Sequence, residues 1–257
     1  VVTTGGHVTV DSAGWIYCGT PGPGSSLMKL TPKGRTVWSH FHNVPGFQGT
    51  AVDDQYLYTC GSGHYGHRQV YRFHKDSGEK AEGWQLQWKK DEPSEGVRPM
   101  GMPVSIAVDD AYLYVIDQRG DEIRRLDKAT GQDVPFDDPL KVVEPRDIAL
   151  LPGGKMLVVT ETSVLELNRE GTPLRVPLVA ELDNAVSVAF DEKTGGFYVA
   201  EGGSSDGLIN RVRQFDADGN PTGWRLGRGG NFQGVWSPDA FAFSEGSGDV
   251  TLDPDGN

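Results

Sequence analysis

The stretch Ile106–Asp117, IAVDDAYLYVID, decides the fold. It predicts one strand over Ile106–Val108, an Asp-Asp turn, and a second strand over Tyr112–Ile116 that ends in a carboxylate. Related stretches begin at Val8, Thr50, Ile148 and Val188, and a shorter one, VTLDPDGN, begins at Val250. Because the same two-strand unit returns along the chain, the sequence is a repeat array.

Each full unit is followed by two more strand-like segments separated by a polar, Gly-containing turn, which is a hairpin signal. Four antiparallel strands at a spacing of about 40–55 residues are typical of propeller blades, which pack face to face around a central channel. We therefore expect an all-β protein, a β-propeller of four-stranded blades forming one domain over residues 1–257. The predicted blades span about 1–45, 46–100, 101–142, 143–180 and 181–230, with the start of a sixth over 231–257.

The last unit contains a first strand and no second strand. A blade left open in this way would expose sheet edges to solvent. The sequence therefore predicts six blades in the intact protein and five complete blades in this chain. The expected partner for the open blade is the remainder of a longer chain.

The composition excludes several classes of protein. A formal net charge of −12 repels phosphate backbones and makes nucleic acid a poor partner. No apolar run approaches the length needed to span a bilayer, and 35 Gly with 16 Pro disfavour long helices. Cys18 and Cys60 lie late in the second strands of neighbouring repeats. They are either small buried side chains or a clip between blades, which requires an oxidising compartment.

Two motifs resemble the NHL-repeat family of β-propellers. The first is Ile106–Asp117, which matches "apolar–x–apolar–Asp, turn, Leu-Tyr-Val-x-Asp"; the second is Asn210–Gly219, which matches "Asn-Arg-Val-x-x-Phe-Asp-x-x-Gly". The resemblance implies a β-propeller architecture and leaves the activity open, because the family contains binding modules, scaffolds, lactonases and lyases.

The acidic charge, the incomplete last repeat and the lack of a strong catalytic constellation favour a binding or scaffold module of a larger extracellular or periplasmic protein, with a ligand-binding mouth at one end of the channel. The alternative is an enzyme acting at the same mouth, either a metal-dependent hydrolase resembling lactonases or a polysaccharide lyase. A peptidyl-amidating lyase is disfavoured, since its propeller presents His just before each first strand. The matching positions here are Gly6, Gln48, Val104, Arg146, Val186 and Gly248.

Propeller geometry brings the start of each first strand and the end of each second strand to one end of the channel. The aligned starts are His7, Gly49, Ser105, Asp147, Ser187 and Asp249, and the ends include Asp117, Glu161 and Glu201. His7, Asp147, Asp249, Asp117, Glu161 and Glu201 therefore form a candidate site for Ca²⁺ or another divalent cation. In the alternative reading these carboxylates cap backbone or pair with Arg, with Arg119 or Arg124 serving Asp117 and Arg211 serving Glu201.

Long loops between second and third strands are expected to build a ligand rim on one side of the mouth. The candidate rim residues are His64, Tyr65, His67, Arg68 and Asp206, which offer acid–base and hydrogen-bonding groups to a protein, small-molecule or carbohydrate ligand. The alternative is that they are solvated loop residues. Gly203–Gly207 matches a GxSxG pattern, but a nucleophile elbow requires a strand–turn–helix context that is missing here.

Overall fold

The computed structural model describes residues 7–20, 25–42, 46–62, 68–89, 92–93, 100–136, 141–202, 210–227, 249–254 and 256. In these parts of the chain, helix is confined to two single 3-10 turns, Gln118–Gly120 and Pro152–Gly154. The strands form five antiparallel sheets arranged as the blades of a ring. The predicted all-β propeller is therefore confirmed.

The first two blades follow the expected meander. Blade one consists of β1 (His7–Val10), β2 (Ile16–Gly19), β3 (Ser26–Leu30) and β4 (Thr36–Phe41). Blade two consists of β5 (Gly49–Val52), β6 (Tyr56–Ser62), β7 (Arg68–His74), β8 (Lys80–Lys89) and the short β9 (Glu92–Pro93). In both blades each strand is hydrogen bonded to the one before it in sequence.

Blade three differs at its outer edge. It consists of β10 (Pro103–Val108), β11 (Tyr112–Asp117) and β12 (Glu122–Asp127). Where the other blades have a fourth strand, it has a single antiparallel bridge between Leu126 and Asp133.

The last two complete blades again have four strands. Blade four consists of β13 (Asp147–Leu150), β14 (Met156–Val159), β15 (Val164–Leu167) and β16 (Pro173–Val179). Blade five consists of β17 (Ala185–Phe190), β18 (Phe197–Gly202), β19 (Asn210–Phe215) and β20 (Pro221–Leu226).

The inner two strands keep the same register in every blade. The equivalent pairs are Val8↔Cys18, Thr50↔Thr59, Ile106↔Val115, Ile148↔Val158 and Val188↔Val199. Because side chains alternate between the two faces of a strand, the same register gives equivalent positions the same orientation in each blade. Residues that are aligned in the sequence repeats therefore occupy equivalent positions in the five blades.

The hydrophobic core lies between blades. One cluster joins Tyr58 and Val70 of blade two to Ile106 and Leu113 of blade three. Similar clusters join blades three and four, blades four and five, and blades one and two. Each blade is thus stabilised mainly by its neighbours, as expected for a repeat that cannot bury both faces alone.

Residues 249–254 lie between blade five and blade one. Val250 packs against the blade-five residues Val186, Ala200 and Val212. On the other side, Asp249 Oδ2 accepts a hydrogen bond of 2.8 Å from the backbone N–H of Val8. This is the place expected for the first strand of a sixth blade, and the count of six stays a prediction.

The end of the channel that carries the turns between first and second strands, here called the turn end, has a recurring contact. Asp53 Oδ1 accepts the backbone N–H groups of Gln55 and Tyr56, and Asp53 Oδ2 accepts the Tyr58 hydroxyl. Lys128 of blade three pairs with the same carboxylate at 3.2 Å. The Asp of the repeat motif therefore ties a turn, a tyrosine and the next blade together.

Two further interfaces repeat this arrangement. Asp109 of blade three binds its own turn, Tyr114, and Arg169 of blade four at 2.8 Å. Asp11 binds its own turn, Tyr17, and Lys75 of blade two at 3.5 Å.

The interface between blades four and five lacks both partners of this contact, with Leu151 at the Asp position and Ala217 at the basic position. There, Arg175 of blade four pairs with Glu166 and donates to the Ala217 carbonyl of blade five. Arg175 also pairs with Asp218 of blade five at 3.4 Å, so this arginine links the two blades where the motif is missing.

Candidate functional site

The mouth of the channel is crossed by a continuous chain of hydrogen bonds between blades. Ser105 of blade three donates to Asp147 Oδ1 at 2.5 Å. Asp147 Oδ2 lies 2.7 Å from the Ser187 hydroxyl of blade five and accepts the Val188 N–H at 2.8 Å. Three of the aligned first-strand residues therefore converge, as the sequence alignment predicts.

The chain continues through Ser187 to the other side of the ring. Ser187 Oγ lies 2.9 Å from Asp249 Oδ1 and accepts the Val250 N–H at 3.1 Å. Asp249 Oδ2 then lies 3.4 Å from His7 Nδ1. His7, Asp147 and Asp249, which were predicted to meet at the mouth, are thus joined in one network.

Ser187 lies between two carboxyl groups of this network. Its oxygen lies within hydrogen-bonding distance of two carboxyl groups, yet a serine hydroxyl carries a single proton. The serine can donate to only one of the two carboxyl groups at a time, so the second contact is a hydrogen bond only if a carboxyl carries a proton. Burial and the charge of Asp249 raise the pKa of Asp147 against the opposing hydrogen bonds from Ser105, Ser187 and the Val188 N–H, which makes Asp147 the candidate for a protonated carboxyl in this network.

His7 balances the remaining charge. Burial alone would lower the pKa of His7, but its hydrogen bond to Asp249 and the charges of Asp249 and Asp147 outweigh that effect, so the pKa is raised. The raised pKa favours an imidazolium at His7 facing the Asp249 carboxylate. Both side chains are mostly buried, with 17% and 12% of their area exposed.

The aligned position in blade two is Gly49, and space requires a glycine there. A Cβ at this position would lie 2.8 Å from both Cys60 Sγ and Ser105 Cα. The network therefore runs from Ser105 around the ring to His7 and ends there. A cavity of about 260 Å³ lies along the inner strands and is lined by His7, Asp147 and Asp249 among other residues.

The three carboxylates expected behind the mouth have different surroundings. Asp117 accepts hydrogen bonds from the backbone N–H groups of Gly101, Met102 and Gly120. Arg124, one of its two predicted partners, pairs with Asp133. Backbone groups thus hold Asp117, in line with the capping alternative.

Glu201 is fully buried and paired with two arginines. Its oxygens contact Arg211 and Arg213 and accept the backbone N–H of Asp183. Burial would raise its pKa, but these partners lower it overall. The predicted Arg211 partner is confirmed, and Arg213 is a second partner that the repeat pattern did not indicate.

Glu161 lies one residue beyond the position of Asp117 and Glu201. The register that pairs Ile148 with Val158 makes Thr160 the equivalent residue. The Glu161 side chain is 54% exposed and reaches Arg146 only at 3.6 Å. Its contribution to a mouth cluster is therefore weaker than the sequence alignment predicts.

The fit of a metal ion follows from these contacts. Both oxygens of Asp147 already accept hydrogen bonds from protein donors. Among the residues that the structure describes, no group of three or more His, Cys, Asp or Glu side chains is arranged to hold a metal ion. The six-residue Ca²⁺ site stays a prediction.

Most of the predicted ligand rim lies outside the described residues. This applies to His64, Tyr65, His67 and Asp206, whereas Arg68 begins β7 with its backbone alone described. The rim hypothesis stays a prediction.

The two cysteines are free in the structure. Cys60 is buried, Cys18 is half-buried, and burial raises the pKa of both thiols. Their surroundings agree with the reading of both as small buried side chains.

Sequence comparison identifies no relative for this chain. No family model matches it, and no curated protein matches it. Within the described residues, no helix is long and apolar enough to cross a membrane.

Solved structures do share the fold. A protein of unknown function from Bacteroides caccae is 18% identical with a TM-score of 0.64, covering 86% of this chain and 80% of that one. Another protein of unknown function, from Bacteroides thetaiotaomicron, is 16% identical with a TM-score of 0.67, covering 97% and 64%. Streptogramin B lyase is 16% identical with a TM-score of 0.58, covering 86% and 69%. At these identities the likeness establishes the β-propeller fold alone.

Proposed function

We propose that this chain is an NHL-type propeller module that binds a ligand at the mouth of its channel, as part of a larger extracellular or periplasmic protein. The observation that carries the proposal is the contrast among the mouth carboxylates. Glu201 is paired with two arginines, whereas Asp147 and Asp249 line a cavity and have His7 as their one basic partner among the described residues. Titratable groups concentrated in a cavity are characteristic of ligand sites.

A matched pair of histidine variants tests this proposal. His7 lies at the mouth, whereas His74 is exposed at the turn end on β7. Calorimetric titration would use calcium chloride, zinc chloride, neutral methyl glycosides and galacturonate oligomers as probes. We expect at least one probe to bind wild type and His74→Ala and to lose affinity in His7→Ala.

Two results would overturn it. The first is that no probe binds wild type, and the second is that His7→Ala and His74→Ala bind every probe equally. Urea denaturation of each variant separates a loss of binding from a loss of fold.

A second candidate is an enzyme at the same mouth, either hydrolase-like or lyase-like. The His7–Asp249 contact favours it, because a histidine whose Nδ1 faces a carboxylate can serve as a general acid or base through Nε2. Hydrolysis of a sugar lactone or cleavage of polygalacturonate by wild type, abolished in Asp249→Asn, would support this role. Turnover that stops on chelation of divalent ions would identify the metal-dependent form.

A further inference from the structure

Asp191 of blade five occupies the position of Asp53 and Asp109 in the repeat, but among the described residues no Lys or Arg side chain pairs with it. It accepts the backbone N–H groups of Lys193 and Thr194 in its own turn, as the other two do in theirs. The residue is only 5% exposed. Because a carboxylate buried to this degree is normally paired with a cation, the turn-end contact of blade five is incomplete.

The tyrosine that belongs to this contact is Tyr198. Its register with Ala189 matches that of Tyr114 with Ala107. The Tyr114 hydroxyl donates to the Asp of its own blade, whereas the Tyr198 hydroxyl accepts a hydrogen bond of 2.9 Å from Gln214. Blade five thus has both of its own residues for the contact. It lacks the basic side chain that the following blade supplies at three other interfaces.

The turn after residue 253 shows how a basic side chain would reach Asp191. Its sequence is Pro-Asp-Gly where blade four has Pro-Gly-Gly at Pro152–Gly154, and the two glycines share a left-handed φ of +76° and +77°. In blade four this glycine makes room for Arg169, since a Cβ on Gly154 would lie 2.9 Å from Arg169 Cδ. A Cβ on Gly256 would lie 3.6 Å from Asp191 Oδ1. A basic side chain that passed over Gly256 as Arg169 passes over Gly154 would therefore meet the Asp191 carboxylate.

The side of blade five that faces away from blade four, here called the docking face, is apolar and open at its outer end. Tyr198 and Val212 pack there around Val250. Leu226 is paired with Val212, and the ring of Trp224 lies 5.2 Å from that of Tyr198, so both belong to the same face. Trp224 is 46% exposed and Leu226 is 41% exposed, whereas the equivalent face of blade three is buried against blade four.

Blade one has a similar open face on the other side of residues 249–254. Trp38 and His40 accept or donate contacts to backbone carbonyls of blade two, so they point toward that blade. Val37 and Phe41 alternate with them along the strand and are exposed. Residues 249–254 touch both blades between these two faces. Exposed apolar side chains concentrated on two facing surfaces indicate an interaction site.

We propose that the two faces dock three further antiparallel strands of the same polypeptide, and that the turn between the last two of these strands presents a Lys or Arg to Asp191. The source is the same polypeptide because every described blade takes its strands consecutively from the chain. The basic residue is assigned to that turn because Lys75, Lys128 and Arg169 all come from it. The inference adds a cation-binding role for Asp191 and does not depend on what the mouth binds.

A chain extended after Asn257 by a copy of Met156–Val179 tests this proposal. The copy continues the alignment with blade four and supplies three strands with an arginine at the required turn. We expect the extension to raise the urea concentration at half-unfolding. Arg169→Ala made in the copy alone should lower the folding equilibrium constant of the extended chain about tenfold, because a charged hydrogen-bonding partner is lost.

Asp191→Asn is the matching change on the other side of the contact. In the extended chain it should lower the folding equilibrium constant by a similar factor and add nothing to the alanine change in the copy. In the unextended chain its effect should be much smaller. The neighbouring Glu192→Gln, which alters an exposed carboxylate, should have the same small effect in both chains.

Three outcomes would overturn the proposal. One is an extension that leaves the urea midpoint unchanged, and another is an equal effect of Asp191→Asn in the two chains. The third is a dimer of the unextended chain, seen by sedimentation, that Trp224→Asp dissociates, since the docking face would then belong to a second copy. If the extended chain does not fold, the same segment is added as a synthetic peptide, and failure to protect Trp224 from acrylamide quenching overturns the proposal. Since no measurement uses a mouth ligand, these failures leave the proposed function standing.

Discussion

The two ends of the channel use the same residue type in opposite ways. At the turn end, Asp11, Asp53 and Asp109 are each held by two backbone N–H groups, a tyrosine hydroxyl and a Lys or Arg of the next blade. At the mouth, Asp147 and Asp249 share one serine hydroxyl, and a single histidine is the only basic side chain paired with them in the described structure. A carboxylate that is paired with a Lys or Arg stabilises the fold. A carboxylate without such a partner can still bind a ligand or exchange a proton.

The largest expected effect is on Glu201, which lies at the mouth but is paired with cations, as the Asp residues of the turn end are. Glu201→Ala leaves Arg211 and Arg213 without their buried partner and should destabilise the fold by about 3–5 kcal/mol. Urea denaturation monitored by tryptophan fluorescence measures the change. Glu161→Ala is the control, because that side chain is mostly exposed and should change stability by less than about 0.5 kcal/mol.

The turn end itself is tested by Asp53→Ala. The substitution removes the acceptor for Gln55, Tyr56 and Tyr58 and the partner of Lys128, so we expect a loss of about 2 kcal/mol. The neighbouring Asp54→Ala removes an exposed carboxylate and should be nearly neutral. Equal effects of the two substitutions would contradict the structural role assigned to the motif.

Asp147→Asn tests whether the Asp147 carboxyl at the mouth is protonated. An amide can donate to Ser187 as a protonated carboxyl does, so the variant should cost less than about 1 kcal/mol near neutral pH. Asp53→Asn at the turn end should cost more, because it removes a charged partner of Lys128. A larger loss in Asp147→Asn than in Asp53→Asn would mean that Asp147 is ionised.

The raised pKa of Asp147 also predicts how the stability of the fold depends on pH. Because the pKa of Asp147 is raised in the folded state, the folded protein binds more protons than the unfolded one above the unfolded Asp pKa of about 3.9. Its contribution to stability is therefore complete below that pH and is lost as pH rises through the folded pKa. The titratable groups that face Asp147 are Asp249 and, through Asp249, His7. The pKa of His7 is also raised in the folded state, so its contribution to stability is likewise lost as the pH rises above the ordinary His value. We expect the stability difference between wild type and Asp147→Asn to shrink as pH rises from 4, as measured by urea denaturation across a pH series; a growing difference would contradict the protonated state.

The smallest expected effect is that of Tyr114→Phe. The change removes one of several donors to Asp109, so we expect a loss of about 1 kcal/mol in thermal or urea unfolding. Tyr112→Phe is the control, since the Tyr112 ring packs under Arg125 and its hydroxyl has no partner in the described residues.

The repeat pattern predicted the fold because the alternation of apolar residues fixes which faces are buried. It also aligned the mouth residues, since the register of Ile106 with Val115 recurs in every blade. The alignment placed Glu161 one residue away from its structural equivalent, because the strand register was not known from the sequence. It did not indicate that Arg213 pairs with Glu201, because the direction of a long side chain depends on the packing around it. The alignment placed Ser187 at the mouth without assigning it a role. Its role becomes visible in the structure, where carboxyl groups of two other blades contact its hydroxyl.

The sequence alone determined the strands, the blades and the identity of the residues brought to the channel mouth, because these follow from short-range periodicity. Only the tertiary structure decided how the mouth carboxylates are paired. The contacts of Ser105 and Ser187 with Asp147, Asp249 and Val250 join blades across 40 to 63 residues of chain. Glu201 is instead paired with two arginines of its own blade, which depends on the direction of long side chains.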